Sequence, residues 1–109
     1  MIEELWETIP GYPNYSVSNL GEIVNNTTHK VLKPFGGGYK RLDQVSLSLK
    51  NKKKYFYVHR LVAAAFLAEY HPDFDVLHKS TDIHDNSVGN LERGAWSKGV
   101  PAKRERVYQ

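Results

Sequence analysis

Val76-Leu77-His78-Lys79-Ser80-Thr81-Asp82-Ile83-His84-Asp85-Asn86-Ser87-Val88-Gly89-Asn90-Leu91-Glu92 is the stretch around which the rest of the chain is arranged. Val76 and Leu77 are good strand residues, and the polar run behind them has turn chemistry, so a strand is expected to end near Leu77. Asn86 and Ser87 are both residues that cap helices, with Asn90 and Leu91 one turn further on, so a short helix is expected to begin there. Strand, loop and helix would then hold His78 and Asn90 close together.

Outward from this stretch, the preceding segment is the best helix in the chain. His59-Arg60-Leu61-Val62-Ala63-Ala64-Ala65-Phe66-Leu67 places Leu61, Ala64, Ala65 and Phe66 on an apolar face, and three consecutive alanines favour helix. It is expected over about residues 59–69, ended by Tyr70-His71-Pro72-Asp73. Before it lie two alternating runs. Val45, Leu47 and Leu49 point one way, Phe56 and Val58 alternate with Tyr55 and Tyr57, and a basic turn over residues 51–54 joins them. The tip of this hairpin carries Lys50, Lys52, Lys53 and Lys54, which suit a phosphate backbone and equally suit a solvated edge protected by charge. Further back, Trp6 and Ile9 are expected core anchors and residues 11–15 an aromatic turn. Val17 and Ile23-Val24 mark short strands, and residues 31–34 a strand stopped by proline. Gly36-Gly37-Gly38 lacks the spacing of a phosphate-binding loop and reads as a hairpin corner.

The order and spacing of these pieces resemble a known family. The usual core text of the HNH nucleases of phages and introns is Val-Asn/Asp-His-x-Asp-Gly-Asn-x-x-Asn-Asn-x-x-x-Asn-Leu-Glu-Trp. His78, Asn86, Asn90, Leu91 and Glu92 fall on matching positions, with Asp85 replacing the first Asn of the Asn-Asn pair. Trp6-x-x-Ile9-Pro10-Gly11-Tyr12, Tyr15-x-Val17-Ser18-Asn19-Leu20-Gly21-x-Ile23, Leu32-Lys33-Pro34, Gly38-Tyr39 and Val58-His59-Arg60-Leu61-Val62-Ala63-x-x-Phe66 resemble the small modular domain that precedes that core in homing endonucleases. The resemblance implies an α+β fold: a small antiparallel sheet with one main helix, then a ββα-metal hairpin-helix over about residues 74–96. It divides the chain into a modular β-rich part (residues 1–54), an HNH-like core (55–97) and a basic tail (98–109).

For function, the resemblance implies a DNA-binding protein in which His78 is the general base and Asn90 the orienting asparagine. Lys50, Lys52, Lys53, Lys54, Arg60, Lys79, Lys103 and Arg104 are the candidate DNA contacts. The family uses a divalent cation, so Mg²⁺ or Mn²⁺ is the expected cofactor of an active enzyme. The two positions where the family carries metal ligands hold Leu77 and Gly99, neither able to bind a metal. Ser80 stands where Asp is usual, and Arg93 where Trp is usual. Asp82 and Asp85, beside His84, are the chemically able substitutes. Two readings follow: a nuclease with weak or lost nicking that still binds double-stranded DNA, or a phage-encoded module that inhibits or binds a host protein on the same scaffold. A third option is an active single-metal nickase using Asp82 or Asp85, and a homodimer is also left open. Histidines at 29 and 71 read as solvated, and His59 as a structural hydrogen-bonding residue.

Composition sets the limits. A chain of 109 residues builds one small unit, or two small modules sharing a core. It has no cysteine, which excludes disulfides and Cys-based zinc sites. A formal charge of +3 permits nucleic-acid binding without demonstrating it. No apolar run approaches membrane-spanning length and the acidic start lacks a signal-peptide pattern, so a cytoplasmic protein is expected.

Overall fold

A computed structural model describes residues 2–36 and 41–96. The first sheet orders β1 (Trp6–Ile9), β2 (Tyr12–Ser18) and β3 (Ile23–Asn25) antiparallel. Pro10 and Gly11, the latter at φ +83°, make the tight turn that lets Ile9 pair with Tyr12. The strand therefore begins at Tyr12, earlier than the aromatic turn expected over 11–15. Trp6 is 40% exposed rather than a core anchor, because it lies on the outer strand with Ile9 as its buried end. Val31 forms a single bridge to Val24 instead of a strand.

The second sheet orders β4 (Phe35–Gly36), β5 (Asp43–Leu49) and β6 (Lys52–Tyr57). The glycines expected at a hairpin corner fall partly on residues 37–40, outside the described residues. In the β5–β6 hairpin Leu49 pairs with Lys52, so the turn is only Lys50-Asn51. Both residues have positive φ, 52° and 67°, as a two-residue turn matching the strand twist demands. Lys52, Lys53 and Lys54 consequently belong to β6, not to the turn. Val45 and Leu47 are buried, while Leu49 is exposed at the tip.

Helix α1 (Val58–Phe66) follows β6 directly. It starts and ends earlier than the pattern suggested. Leu67 leaves helical dihedrals while its N–H still bonds Ala63 O at 2.9 Å, and Pro72 follows. Its buried face is Val58, His59, Val62 and Ala63; Leu61, Ala65 and Phe66 are flanking contacts and Ala64 is exposed. A hairpin closes the described fold: β7 (Phe74–His78) pairs antiparallel with β8 (Leu91–Trp96). The helix expected from Asn86 or Ser87 is a single 3₁₀ turn, Val88–Asn90. Leu91, 1% exposed, must return to the core opposite His78, and that pairing leaves no length for a helix.

These pieces share one apolar core. Ile9, Tyr15, Val17 and Ile23 from the first sheet meet Val45 and Leu47 from the second, Val58, Val62 and Ala63 from the helix, and Val76 and Leu91 from the hairpin. The Tyr15 hydroxyl links the two sheets by accepting the Ser48 N–H at 3.3 Å. Among the described residues, no helix is long and apolar enough to cross a membrane.

Candidate histidine-loop site

His78 ends β7, opposite Leu91, at the point where the chain leaves the sheet. The loop that follows is closed by Asn90. Its backbone carbonyl accepts the Lys79 N–H at 2.7 Å, its Oδ1 accepts the Ser80 N–H at 3.1 Å, and its Nδ2 donates to Asp85 O at 2.9 Å. One asparagine thus ties the start of the loop to its middle. Inside the loop, Asp82 Oδ1 accepts the His84 N–H at 3.0 Å, and Asp85 Oδ1 accepts both the Ser87 N–H at 3.3 Å and its hydroxyl at 2.7 Å.

The His78 ring is held by a residue that the sequence suggested only as a helix cap and a motif match. His78 Nε2 donates to Asn86 Oδ1 at 2.8 Å. Asn86 is buried, and its Nδ2 donates in turn to Asp43 Oδ2 at 3.0 Å. The other Asp43 oxygen, Oδ1, accepts from His84 Nδ1 at 2.8 Å. Asp43 lies 43 positions before Asn86, at the start of β5. A sequence signal existed: Asp43 shares the inward register of Val45 and Leu47, and a carboxylate on a buried strand face needs partners.

The first sheet supports the same loop. Asn19 O accepts the Val88 N–H at 2.8 Å, while the Asn19 side chain fastens the N-terminal segment through Leu5 N and Glu3 O. Gly21, at φ +96°, packs so closely on Asn86 that an added Cβ would lie 3.1 Å from its backbone carbon. Both the positive φ and the close approach require glycine there.

A cavity of about 460 Å³ opens beside His78, with Tyr57, His59, Arg60, Asp75 and Ser80 among its lining residues. The His59 and His78 ring centroids lie 5.0 Å apart. Burial pushes the His59 imidazole down to about 4, assisted by positive charge on His78 and then on Arg60, with Asp43 opposing. His59 Nδ1 is buried without a hydrogen-bond partner, so the structural bond expected of this residue is not made there. Arg60 donates to Phe74 O at 3.3 Å and Pro72 O at 3.1 Å, fixing the start of β7. Arg93, where the family pattern has Trp, stacks over the Phe74 ring at 4.2 Å.

Among the described residues, the other expected DNA contacts are lysines outside the histidine loop's hydrogen-bond network, except Lys79, whose N–H bonds Asn90 O. Lys50, Lys52, Lys53 and Lys54 line the exposed β5–β6 tip, and Lys79 is exposed directly beside His78. Lys103 and Arg104 lie outside the described residues. His29 sits in a loop at φ 62°, and His71 Nδ1 accepts the Asp73 N–H at 3.1 Å.

The NUMOD4 motif matches residues 4–59. The chain belongs to the family that carries the NUMOD4 motif. Similar relatives include two uncharacterized HNH endonucleases of Acanthamoeba polyphaga mimivirus. One is 35% identical over 82 residues (74% of this chain, 20% of the relative) and the other 40% identical over 88 residues (80% and 26%). The DNA endonuclease I-HmuI of Bacillus phage SP01 is 38% identical over 89 residues, covering 79% of this chain and 49% of the relative. A solved structure reporting DNA binding and cleavage by I-HmuI superposes with a TM-score of 0.77 at 34% identity, over 84% of this chain and 52% of that one. The chain thus spans about half or less of the length of these relatives.

The divalent cation of HNH enzymes does not fit the donors described here. Leu77 is 45% exposed, and its side chain lies over Gly94, whose added Cβ would sit 2.8 Å from Leu77 Cγ. Among the described residues no three His, Asp or Glu side chains group to hold a metal. Asp82 and Asp85 each use a carboxylate oxygen on the loop's own donors. Gly99 lies outside the described residues.

Proposed function

We propose that this chain binds double-stranded DNA as an HNH homing-endonuclease-type protein in which metal-dependent nicking is weak or lost. The observation that carries the reading is the pairing of a built histidine with a missing ligand. His78 is held by Asn86, its loop is closed by Asn90, and Leu77 occupies the adjacent position where the family pattern carries a metal-binding side chain. His78 is the group able to take a proton from water, and Asn90 keeps the loop that carries it. Without oxygen donors for a cation, charge building on a phosphate is left to Arg60, Lys79 and the cavity's own donors, which is a poor substitute.

Binding is assigned to the lysine-bearing hairpin. Lys50 holds a left-handed backbone conformation that asparagine or glycine adopts more readily. A lysine kept at such a position is better explained by a charge contact than by the turn itself. The alternative, a module that binds or inhibits a host protein, draws support from Ile2, Leu5, Trp6 and Leu20, all exposed near the β1 edge.

Conversion of supercoiled plasmid to nicked circle with Mg²⁺ or Mn²⁺, beside His78→Ala and an EDTA control, tests the reading. Duplex binding in a gel shift with little or no nicking supports it. Vigorous metal-dependent nicking that His78→Ala abolishes refutes the loss of cleavage and points to Asp82 or Asp85 as substitute ligands. A folded protein that binds no duplex favours the host-protein alternative.

A further inference from the structure

We propose that Asp43, contributed by the N-terminal module, is a positioning residue that fixes His78 through Asn86 as the tautomer with the proton on Nε2. The inference rests on the assignment of His78 as the proton-accepting group.

The argument follows the directionality of hydrogen bonds. A carboxylate oxygen accepts, so the atom of Asn86 facing Asp43 Oδ2 at 3.0 Å is the amide nitrogen. That turns Asn86 Oδ1 towards His78, and an amide oxygen also only accepts. The ring nitrogen 2.8 Å from it must therefore carry hydrogen. In a neutral imidazole the remaining nitrogen, Nδ1, is then the one with a lone pair. The direction of the chain Asp43–Asn86–His78 is set at its carboxylate end. Were residue 43 an amide, both it and Asn86 could turn over, and only the long contact of Asn86 Nδ2 with His84 O, at 3.5 Å, would still favour the original direction.

The surroundings make this a held arrangement. Asp43 is 9% and Asn86 5% exposed. The second Asp43 oxygen is occupied by His84 Nδ1, which keeps the carboxylate from rotating away. Gly21 closes on the backbone and Cβ of Asn86, which fixes the point from which its side chain extends. The NUMOD4 match ends at residue 59, before His78, so the module supplies a group that the histidine loop does not contain.

Long-range ¹H–¹⁵N correlation of the His78 ring in the full chain reads the tautomer directly, without DNA or metal. The wild type is expected to show a protonated Nε2 and an unprotonated Nδ1. Asp43→Asn keeps the shape but removes the direction, so the two ring-nitrogen shifts are expected to move towards each other as both tautomers populate. The double variant Asp43→Asn with Asn86→Asp restores a carboxylate acceptor next to His78 and should return the single tautomer. A wild type protonated on Nδ1, or a folded Asp43→Asn that retains the single tautomer, overturns the proposal. If the single variant does not fold, the double variant and the wild type decide: loss of the Nε2–H tautomer in either one overturns it. Duplex binding is scored separately by gel shift. A protein that binds no DNA but shows the tautomer pattern sinks the functional reading and leaves this inference standing.

Discussion

His59 should make the protein acid-sensitive in a defined window. It is 6% exposed, and its imidazole is pushed from 6.5 to about 4 by burial first, then by the charges of His78 and Arg60. Between those two pH values the unfolded chain binds a proton at this residue that the native chain does not. Stability therefore falls as pH falls through the window, and the effect is absent above it. At 1.36 kcal/mol per pKa unit the full displacement corresponds to a ceiling of about 3 kcal/mol, and a drop from pH 7.5 to pH 5 realises about 2 of that. The ring also lines a cavity that water reaches, so we discount this to about 1–2 kcal/mol, or roughly 4–8 °C in Tm for a chain of this size.

His59→Phe removes the titrating group and the unpartnered Nδ1 while keeping a ring between Tyr57 and His78. Urea unfolding of both proteins at the two pH values isolates the contribution, since other titrating groups cancel in the difference. The variant should lose about 1–2 kcal/mol less than the wild type on acidification. Parallel pH dependence in the two proteins would refute the reasoning, as would a His59 titration near the ordinary histidine value.

Replacing Lys52, Lys53 and Lys54 together with Gln should lower the slope of log K against log salt for duplex binding by about 2 to 3, close to one per phosphate contact; an unchanged slope removes this strand from the interface. Lys50→Asn should raise stability in urea by about 0.5–1 kcal/mol by relieving the left-handed backbone, and should weaken DNA binding; a loss of stability contradicts the turn assignment. Leu77→Asp combined with Gly99→Asn should raise Mg²⁺- or Mn²⁺-dependent plasmid nicking at least about tenfold, and no gain would mean that the missing ligands are not what limits cleavage.

The elements legible in the sequence were those specified by neighbours in the chain. The alternation of Val45 and Leu47 and the alanine-rich helix follow from local geometry, while the α+β fold was what the family resemblance implied. Errors arose where a distant contact overruled a local preference. Asn86 and Ser87 suit a helix start, yet the pairing of Leu91 with His78 pulls the chain back into a strand after a single turn. Trp6 has the composition of an anchor, but β1 sits at the sheet edge and its buried end is Ile9. The lysines after Asn51 looked like a turn because charge is common in turns, whereas the tight Lys50-Asn51 geometry places them on a strand.

The site divides along the same line. Asn90 closes the histidine loop with bonds to residues no more than 11 positions away, and its closeness to His78 was readable from the sequence. What orients His78 comes from farther off: Asp43 reaches Asn86 from β5, Gly21 presses on it from the first sheet, and Asn19 holds Val88. A motif records the loop but not the walls against which it sets. Leu77 is partly exposed on the hairpin, with its side chain over Gly94, so a polar residue there would disturb the core little. Asn86 and Asp43 are tied into the contacts between the two sheets and the hairpin, so truncating either side chain would disturb the structure as well as the histidine. If cleavage is weak or lost, as we propose, an exposed position beside a held histidine is where that loss costs the fold least, and Leu77 beside His78 has this arrangement.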